Sequence, residues 1–290
     1  MKEALYLECY SGISGDMVVG ALLDLGARED ILRKALESIR VQGFHIEISR
    51  VVKSGIDSCD FNVVLDDKHA NHDHDMEYLY GNREETEDHD LVHGHRHAHS
   101  EHVHDNHEHA GEHAHTHEHR GIEEIRTIIE ESNLTERAKQ TADRIFTILA
   151  EAESRAHNVP VDQVHFHEVG AVDSIVDILA AAVCLDDLGI QEVIVTELRE
   201  GTGTVRCQHG VLPVPVPAVL NILQANDIKL RIMDWKGEFI TPTGAAIAAA
   251  VQTAEVLPER FQVKRVGIGA GKRVYDGPGI LRAMLIEESI

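Results

Sequence analysis

The spacing of hydrophobic residues predicts the elements of the N-terminal part of the chain. The stretch ALYLE is typical of a short buried strand, and a turn rich in Ser and Gly then leads into a helix that starts near Asp16 and ends at Gly26. A second short helix follows. Residues 44–52 and 61–66 alternate apolar and polar side chains, which predicts two paired strands. We therefore expect a small α/β lobe over residues 1–67.

Periodicity disappears over residues 68–120, where His, Asp, Glu, Gly and Asn dominate. A segment of this composition cannot bury enough apolar surface to offset the conformational entropy that is lost on folding. The sequence therefore predicts a disordered insert in this region.

Helical periodicity returns after the insert. Two amphipathic helices are predicted over 122–134 and 135–158, with Thr135 as the N-cap of the second. Residues 172–189 are apolar nearly all round, which indicates a buried helix. The rest alternates strands with helices that begin after Pro217 and Thr241. We predict a larger mixed α/β lobe over residues 121–290, and an α+β fold class for the chain.

Composition and charge exclude several classes of function. The 290 residues carry 50 acidic and 27 basic side chains, a formal net charge of -23, which disfavours binding to nucleic acid and to anionic membranes. The N-terminal residues do not resemble a signal peptide, and the longest apolar runs are too short to span a bilayer. Four scattered cysteines without a CxxC pair indicate neither a disulfide framework nor a structural zinc site. We expect a cytoplasmic protein.

The insert is a candidate metal-binding segment. Sixteen of the 21 histidines fall between His69 and His119, interleaved with carboxylates, and this combination suits Ni(II), Zn(II), Cu(II) or Co(II). A disordered segment can collect metal but cannot hold a rigid open coordination site, so we expect accessory ligands here. The candidate accessory ligands are His93, His95, His97, His99, His113, His115, His117 and His119.

A second candidate is the stretch HFHEVGAVDSIVD. His165 and His167 project to one side of an extended segment, Glu168 is adjacent, and a helix begins directly afterwards. Asp173 and Asp177 are four residues apart on one face of that apolar helix, where a carboxylate needs a metal, a histidine or backbone amides as a partner. The alternative is that Asp173 is only an N-cap and His165 a core histidine.

Turns that precede helices are candidate anion-binding sites, because a helix N-terminus presents free backbone N–H groups. The first such turn contains Ser11, Gly12, Ser14 and Gly15. The second is TPTG, in which Thr241 can cap the helix and Gly244 allows a ligand to approach the backbone. A third Gly/Thr-rich turn carries Cys207 and His209. Capped helices and glycine turns are common, so each signal is weak by itself.

Together, the strings SGISGDM, HFHEVGAVDSIVDI, GTGTV.C.HG.LPVPVPAV and TPTGAAI resemble the nickel-insertion family of nickel-pincer cofactor biosynthesis. The resemblance covers about residue 4 to the end. It implies a nickel chelatase of the lyase class, which inserts Ni(II) into pyridinium-3,5-bisthiocarboxylic acid mononucleotide in a reaction that depends on CTP with Mg(II) or Mn(II). The product is the cofactor of lactate racemase and related enzymes, so a downstream apoenzyme is an implied partner.

We assign roles to the candidate residues from the chemistry that this resemblance implies. Nickel would be held by His165, His167, Asp173 and Asp177, and proton transfer would fall to Glu168 or His209. The substrate phosphate, or the cofactor, would be bound by Ser11, Gly12, Ser14, Gly15, Thr241, Thr243 and Gly244.

Full-length members of the family resemble this chain but continue into a region implicated in CTP binding and oligomerisation, whereas the sequence stops at Ile290 and contains no P-loop. We therefore expect a separate C-terminal CTP-binding polypeptide or a homo-oligomer as partner, and no CTP hydrolysis by this chain alone. The alternative function is non-catalytic storage or delivery of nickel or zinc, with the folded part as a docking module.

Overall fold

A computed structural model describes residues 3–66, 76, 79, 120–164, 172–207, 209–275 and 277–289. The helices within these ranges are α1 (Gly15–Leu25), α2 (Glu29–Glu37), α3 (Ile122–Glu131), α4 (Glu136–His157), α5 (Val172–Asp187), α6 (Pro217–Ala225) and α7 (Pro242–Val251). The strands are β1 (Glu3–Glu8), β2 (Phe44–Lys53), β3 (Ile56–Leu65), β4 (Val193–Ile194), β5 (Leu198–Thr202), β6 (Thr204–Cys207), β7 (Gly210–Pro213), β8 (Leu230–Lys236), β9 (Phe261–Ala270) and β10 (Ile280–Glu288). This mixture of helices and sheets confirms the predicted α+β class.

One mixed sheet of six strands organises the fold, with the order β2-β3-β9-β10-β1-β4. Strand β1 pairs antiparallel with β10 and parallel with β4, while β9 joins β10 to β3. Two small two-stranded sheets, β5-β8 and β6-β7, lie outside it. The strands of the predicted N-terminal lobe therefore share a sheet with the last strands of the chain. The predicted lobe boundaries at residues 67 and 121 stay a prediction. Strands from both predicted lobes belong to one sheet.

Helix α1 packs directly on this sheet because glycines remove the side chains between them. A Cβ at Gly269 would lie 1.9 Å from the carbonyl oxygen of Met17, and a Cβ at Gly267 would lie 2.1 Å from that of Ala21. Both distances are far below van der Waals contact, so only glycine permits this approach of helix and strand. The sheet thereby fixes the position of the turn that precedes α1.

Helix α5 is the centre of the helical layer. Eleven of its residues are buried, including Ile175, Val176 and Leu179, and it contacts α1, α2, α4 and α7. The prediction of a buried helix is therefore confirmed. A helix that is apolar nearly all round has no preferred solvent face, which is why it lies inside the protein.

The remaining predicted elements are largely confirmed, with two differences. Strand β3 begins at Ile56, five residues before the predicted strand over residues 61–66. Thr135 caps α4 by accepting a hydrogen bond from the N–H of Ala138 at 3.1 Å. The strand predicted from EVIVTEL is two strands, because β4 pairs with β1 whereas β5 pairs with β8 in another sheet. Most of the predicted disordered insert lies outside the described residues, but Leu79 within it is buried in the hydrophobic core, and Arg120 at its end is also buried. Within the described ranges, none of the helices has both the length and the apolarity needed to cross a bilayer.

Candidate functional site

The two predicted anion-binding turns meet in the structure. The N–H of Ile13 donates to the carbonyl oxygen of Phe239 at 2.9 Å, and the N–H of Thr241 donates to the carbonyl oxygen of Ile13 at 3.1 Å. These bonds join the turn before α1 to the turn before α7 as a short parallel bridge. Residues more than two hundred positions apart therefore form one backbone junction.

Glycines allow the junction to close. Gly12 has a φ of +91°, which L side chains rarely adopt, and a Cβ there would lie 2.1 Å from the carbonyl oxygen of Phe239. A Cβ at Gly244 would lie 2.3 Å from the carbonyl oxygen of Ile13 and 2.8 Å from the nitrogen of Ser14. The glycines that the sequence singled out for contact with a ligand thus make close contacts within the protein.

The carboxylate of Asp177 lies at the N-terminus of α1. It accepts a hydrogen bond from the backbone N–H of Asp16. A Cβ at Gly15 would lie 2.5 Å from Oδ2 of Asp177, so the absence of a side chain at Gly15 makes room for this carboxylate. Free N–H groups at a helix start stabilise negative charge, and here a protein side chain occupies that place.

Three carboxylates converge here, and we call Asp16, Asp173 and Asp177 the carboxylate trio. Asp16 is buried, with 7% of its surface exposed, and Ser14 donates a hydrogen bond to its Oδ1. Its Oδ2 has no hydrogen-bond partner among the described residues. Asp173 and Asp177 are partly buried, one turn apart on α5. Sequence reasoning missed Asp16, because an acidic residue in the first turn of a helix is ordinary.

The trio carries unbalanced negative charge. Burial raises the pKa of Asp177 well above its ordinary value, the charges of Asp16 and Asp173 raise this pKa further, and the ammonium of Lys272 lowers it. Lys272 also forms an ion pair with Asp60, so its charge is shared between two carboxylates. The site therefore favours either a proton on Asp177 or an additional cation.

The described residues supply only part of a metal coordination sphere. Among them, no three His, Cys, Asp or Glu side chains are already arranged to hold an ion. His165, His167 and Glu168, which precede α5 in the sequence, lie outside the described residues, as do the accessory histidines from His93 to His119. The nickel role of Asp173 and Asp177 stays a prediction, and the structure adds Asp16 beside them.

The predicted phosphate ligands have other contacts in this structure. The N–H groups at the start of α1 face the carboxylate of Asp177, whose charge would repel a phosphate. At the start of α7, the hydroxyl of Thr241 accepts the N–H of Gly244 at 3.1 Å, and Thr243 is buried. The role of these turns in binding phosphate stays a prediction, while their observed role is to shape the junction.

His209 has neighbours other than the trio. It lies after β6, at the tip of the β6–β7 hairpin, and is exposed to solvent. Its Nδ1 is 4.0 Å from Sγ of Cys207, and its ring lies 4.6 Å from the ring of His157 on α4, measured between centroids. Its predicted role in proton transfer is untested, and these neighbours favour a different role.

Comparison with known proteins accounts for the motifs that meet at this junction. The family model described as "Nickel insertion protein" matches residues 5–290. The chain belongs to the nickel insertion protein family. The match includes the turns before α1 and α7, the start of α5 and the β6–β7 hairpin, which are the places where the candidate residues lie.

Curated relatives carry the same description in more detail. The pyridinium-3,5-bisthiocarboxylic acid mononucleotide nickel insertion protein of Alkaliphilus metalliredigens is 50% identical over 289 residues, which is 100% of this chain and 62% of the relative. The protein of that name from Acetivibrio thermocellus is 36% identical over 97% of this chain and 60% of its own length. The chain thus spans about three-fifths of these relatives. No solved structure matches it.

A buried glutamate, which sequence reasoning also missed, shapes the junction of this nickel insertion family member. Glu200 on β5 is fully buried and accepts hydrogen bonds from the N–H groups of Gly201 at 2.8 Å and Phe239 at 2.6 Å. It also accepts the N–H of Ile240 at 3.3 Å. The carboxylate therefore ties β5 to the turn that contacts Ile13. Its position in the sequence, between Arg199 and a glycine turn, resembles that of a surface residue.

Burial raises the pKa of Glu200 to about 8, although the three backbone N–H groups lower it. The folded state therefore binds the proton more tightly than the unfolded state does. The resulting stabilisation is complete below the ordinary pKa of 4.5 and is lost as the pH rises through about 8. We expect Glu200→Gln, which cannot ionise, to retain stability between pH 5 and pH 9, where the parent loses it. Denaturant unfolding at several pH values measures this difference.

Exposed Glu259→Gln is the matched control for this measurement and should follow the parent at every pH. If Glu200→Gln and the parent change in parallel with pH, then Glu200 is ionised in the folded protein across this range.

Proposed function

We propose that this protein inserts Ni(II) into pyridinium-3,5-bisthiocarboxylic acid mononucleotide, in the cytoplasm and with CTP, to form the nickel-pincer cofactor of lactate racemase and related enzymes. The observation that carries the proposal is the carboxylate trio at the junction of α1, α5 and α7. Family membership and the names of the curated relatives support nickel as the ion and the mononucleotide as the acceptor.

The trio suits an ion that must be held and then released. Oxygen donors bind Ni(II) less strongly than sulfur donors do, so two thiocarboxylate sulfurs and a ring carbon can displace carboxylates from the ion. His165 and His167, which precede α5, would complete the ligand set. In this proposal Asp16, Asp173 and Asp177 hold the nickel until the substrate takes it.

The same carboxylates can couple metal transfer to proton transfer. Formation of the carbon–nickel bond replaces a ring C–H, so one proton must leave as the bond forms. A metal ion beside Asp177 would keep it ionised, and departure of that ion restores the raised pKa that burial and its acidic neighbours impose. Asp177 therefore becomes a proton acceptor when the nickel moves to the substrate. Glu168 remains the second candidate for this proton.

The two predicted anion-binding helix starts do not fit a nucleoside triphosphate with its metal. The start of α1 faces a carboxylate, and the start of α7 is capped by its own threonine. We therefore derive no step through CTP, and we place its site in a C-terminal region or partner polypeptide.

An insertion assay tests the proposal. The 290-residue chain is incubated with the thiolated mononucleotide, Ni(II), Mg(II) and CTP, alone and together with the remaining part of the Alkaliphilus relative, and the product is followed by mass spectrometry. We expect a product in which nickel has replaced one ring proton, formed only in the presence of CTP. Binding of nickel without a nickelated product in either mixture would contradict the proposal.

Storage or delivery of metal is the second candidate function, and the histidines between His69 and His119 favour it. Deletion of residues 70–119 separates the two functions. If the protein is a chelatase, the shortened chain should retain most insertion activity at saturating nickel, because the trio lies outside the deleted segment. If it only stores metal, nearly all bound nickel should be lost with the segment, as measured by equilibrium dialysis. Unfolding of the shortened chain would show that the segment has a structural role.

A further inference from the structure

A second group of metal-binding side chains lies where the C-terminal end of α4 meets the β6–β7 hairpin. Oε2 of Glu153 is 3.4 Å from Nε2 of His157, both on α4. The rings of His157 and His209 lie 4.6 Å apart between centroids and are tilted by 40°. Sγ of Cys207 is 4.0 Å from Nδ1 of His209. We call these four residues the hairpin cluster.

We propose that the hairpin cluster is a second metal site, in which His157, His209 and Cys207 bind a borderline divalent cation such as Ni(II). Imidazole and thiolate donors together suit such ions better than oxygen donors do. Glu153 would not be a direct ligand. Its carboxylate lies beside Nε2 of His157, which leaves Nδ1 for the metal and fixes the orientation of the ring.

A small movement would close the site. Metal bonds of about 2.3 Å to sulfur and about 2.0 Å to nitrogen place the two ligand atoms roughly 3.5 Å apart in tetrahedral geometry. The observed distance of 4.0 Å between Cys207 and His209 exceeds this by about half an ångström. His157 and His209 are exposed, so their rings can rotate without disturbing the core. The cluster is therefore close to, but not already in, a coordinating arrangement.

Cys207 gives the site a property that the histidine-rich segment cannot have. The other cysteines of the chain, Cys9, Cys59 and Cys184, are buried, whereas Cys207 is partly exposed. A thiolate bound to Ni(II) produces a charge-transfer absorption that imidazole and carboxylate ligands do not produce. Such a band in this protein therefore reports on Cys207, even when many histidines bind metal at the same time.

The position of the cluster indicates a staging role, and this part of the inference rests on the proposed function. His157 precedes His165 by eight residues, so the cluster and the predicted nickel ligands before α5 are close to each other along the sequence. Nickel would pass from imidazoles to a site with a thiolate, and finally to a substrate that offers two sulfurs and a carbon. Metal binding by the cluster does not require that role and can be measured separately.

Titration of the complete chain with Ni(II) alone tests the site. We expect a thiolate charge-transfer band that saturates with added nickel, is absent in Cys207→Ser, and requires about tenfold more nickel in His157→Gln and in His209→Gln. His45→Gln is the matched control, because His45 is also exposed and lies near a carboxylate, 3.7 Å from Glu47, but belongs to β2. This control should leave the titration unchanged.

Two results would overturn the inference. One is the absence of any thiolate band at excess nickel in the parent protein. The other is a band that persists with unchanged affinity in the His157→Gln and His209→Gln variants, which would mean that Cys207 binds metal together with other ligands. A normal band in a protein that forms no nickelated product would support the site and contradict only the proposed insertion. Circular dichroism confirms that each variant is folded.

Discussion

Replacement of Asp177 by Asn should lower nickel insertion by about 100-fold or more while leaving the protein folded. The amide preserves the shape of the side chain, and its oxygen can still accept the N–H of Asp16. The substitution removes the negative charge that would hold the nickel ion. It also removes the carboxylate that would accept the ring proton. The insertion assay, run at saturating substrate and nickel, measures this loss.

The same variant should be at least as stable as the parent at neutral pH. Because the pKa of Asp177 is raised in the folded state, its ionisation costs stability as the pH rises above the ordinary value of 3.8. Asn removes that cost, so the advantage of the variant should shrink as the pH falls towards 3.8. Loss of activity together with a gain in stability would identify a functional charge. Replacement of a purely structural carboxylate would instead lower both activity and stability.

Asp234→Asn provides the matched control, because Asp234 is exposed on β8. It should leave both insertion and stability unchanged. An Asp177→Asn variant with full activity would remove Asp177 from the mechanism. One that fails to fold would show that its carboxylate is required by the junction itself.

The local elements could be predicted from the sequence because their signals are local. The periodicity of α4 and its N-cap Thr135, the apolar α5 and the alternating strand β2 all form where the pattern of side chains indicates them. Sheet order could not be predicted in this way. The pairing of β1 with β10, and of β3 with β9, joins segments more than two hundred residues apart, and no local pattern records it.

At the candidate site too, residues with a local sequence signal could be predicted and residues that depend on distant contacts could not. Asp173 and Asp177 could be selected from the sequence because carboxylates in an apolar helix require partners. Asp16 and Glu200 could not be selected, since their significance arises only when distant turns meet. Asp16 becomes a site residue when α5 brings Asp177 to the start of α1. Glu200 becomes a structural residue when the turn before α7 closes over it.

Gly12 and Gly244, which were predicted to help bind the substrate phosphate, have an observed role within the protein, and their role in phosphate binding stays a prediction. The sequence indicates close approach of a ligand to the backbone at Gly244, and the structure shows close approach of another group at both Gly244 and Gly12. The approaching group in each case is another segment of the chain, Phe239 or Ile13. A glycine requirement by itself cannot distinguish a ligand from a neighbouring backbone.

Gly244→Ala should therefore disrupt the junction. In an exposed helix, replacement of Gly by Ala gains roughly 1 kcal/mol, but a Cβ at this position would lie 2.3 Å from the carbonyl oxygen of Ile13. The backbone of Ile13 cannot move freely, because it bonds to Phe239 and Thr241. We expect the clash to outweigh the gain and to lower the free energy of unfolding by about 3 kcal/mol, as measured with denaturant. Insertion should also fall, since displacement of Ile13 moves Asp16.

Gly121→Ala is the control for this substitution. Gly121 has a φ of -86°, and a Cβ there would lie 3.9 Å from the carbonyl oxygen of Val164, an ordinary contact. The cost should stay below about 1 kcal/mol, because only the N-cap preference of α3 is affected. If Gly244→Ala were as stable and as active as this control, the two turns would not be in contact as described. The backbone junction formed by Ile13, Phe239 and Thr241 would then have to be abandoned.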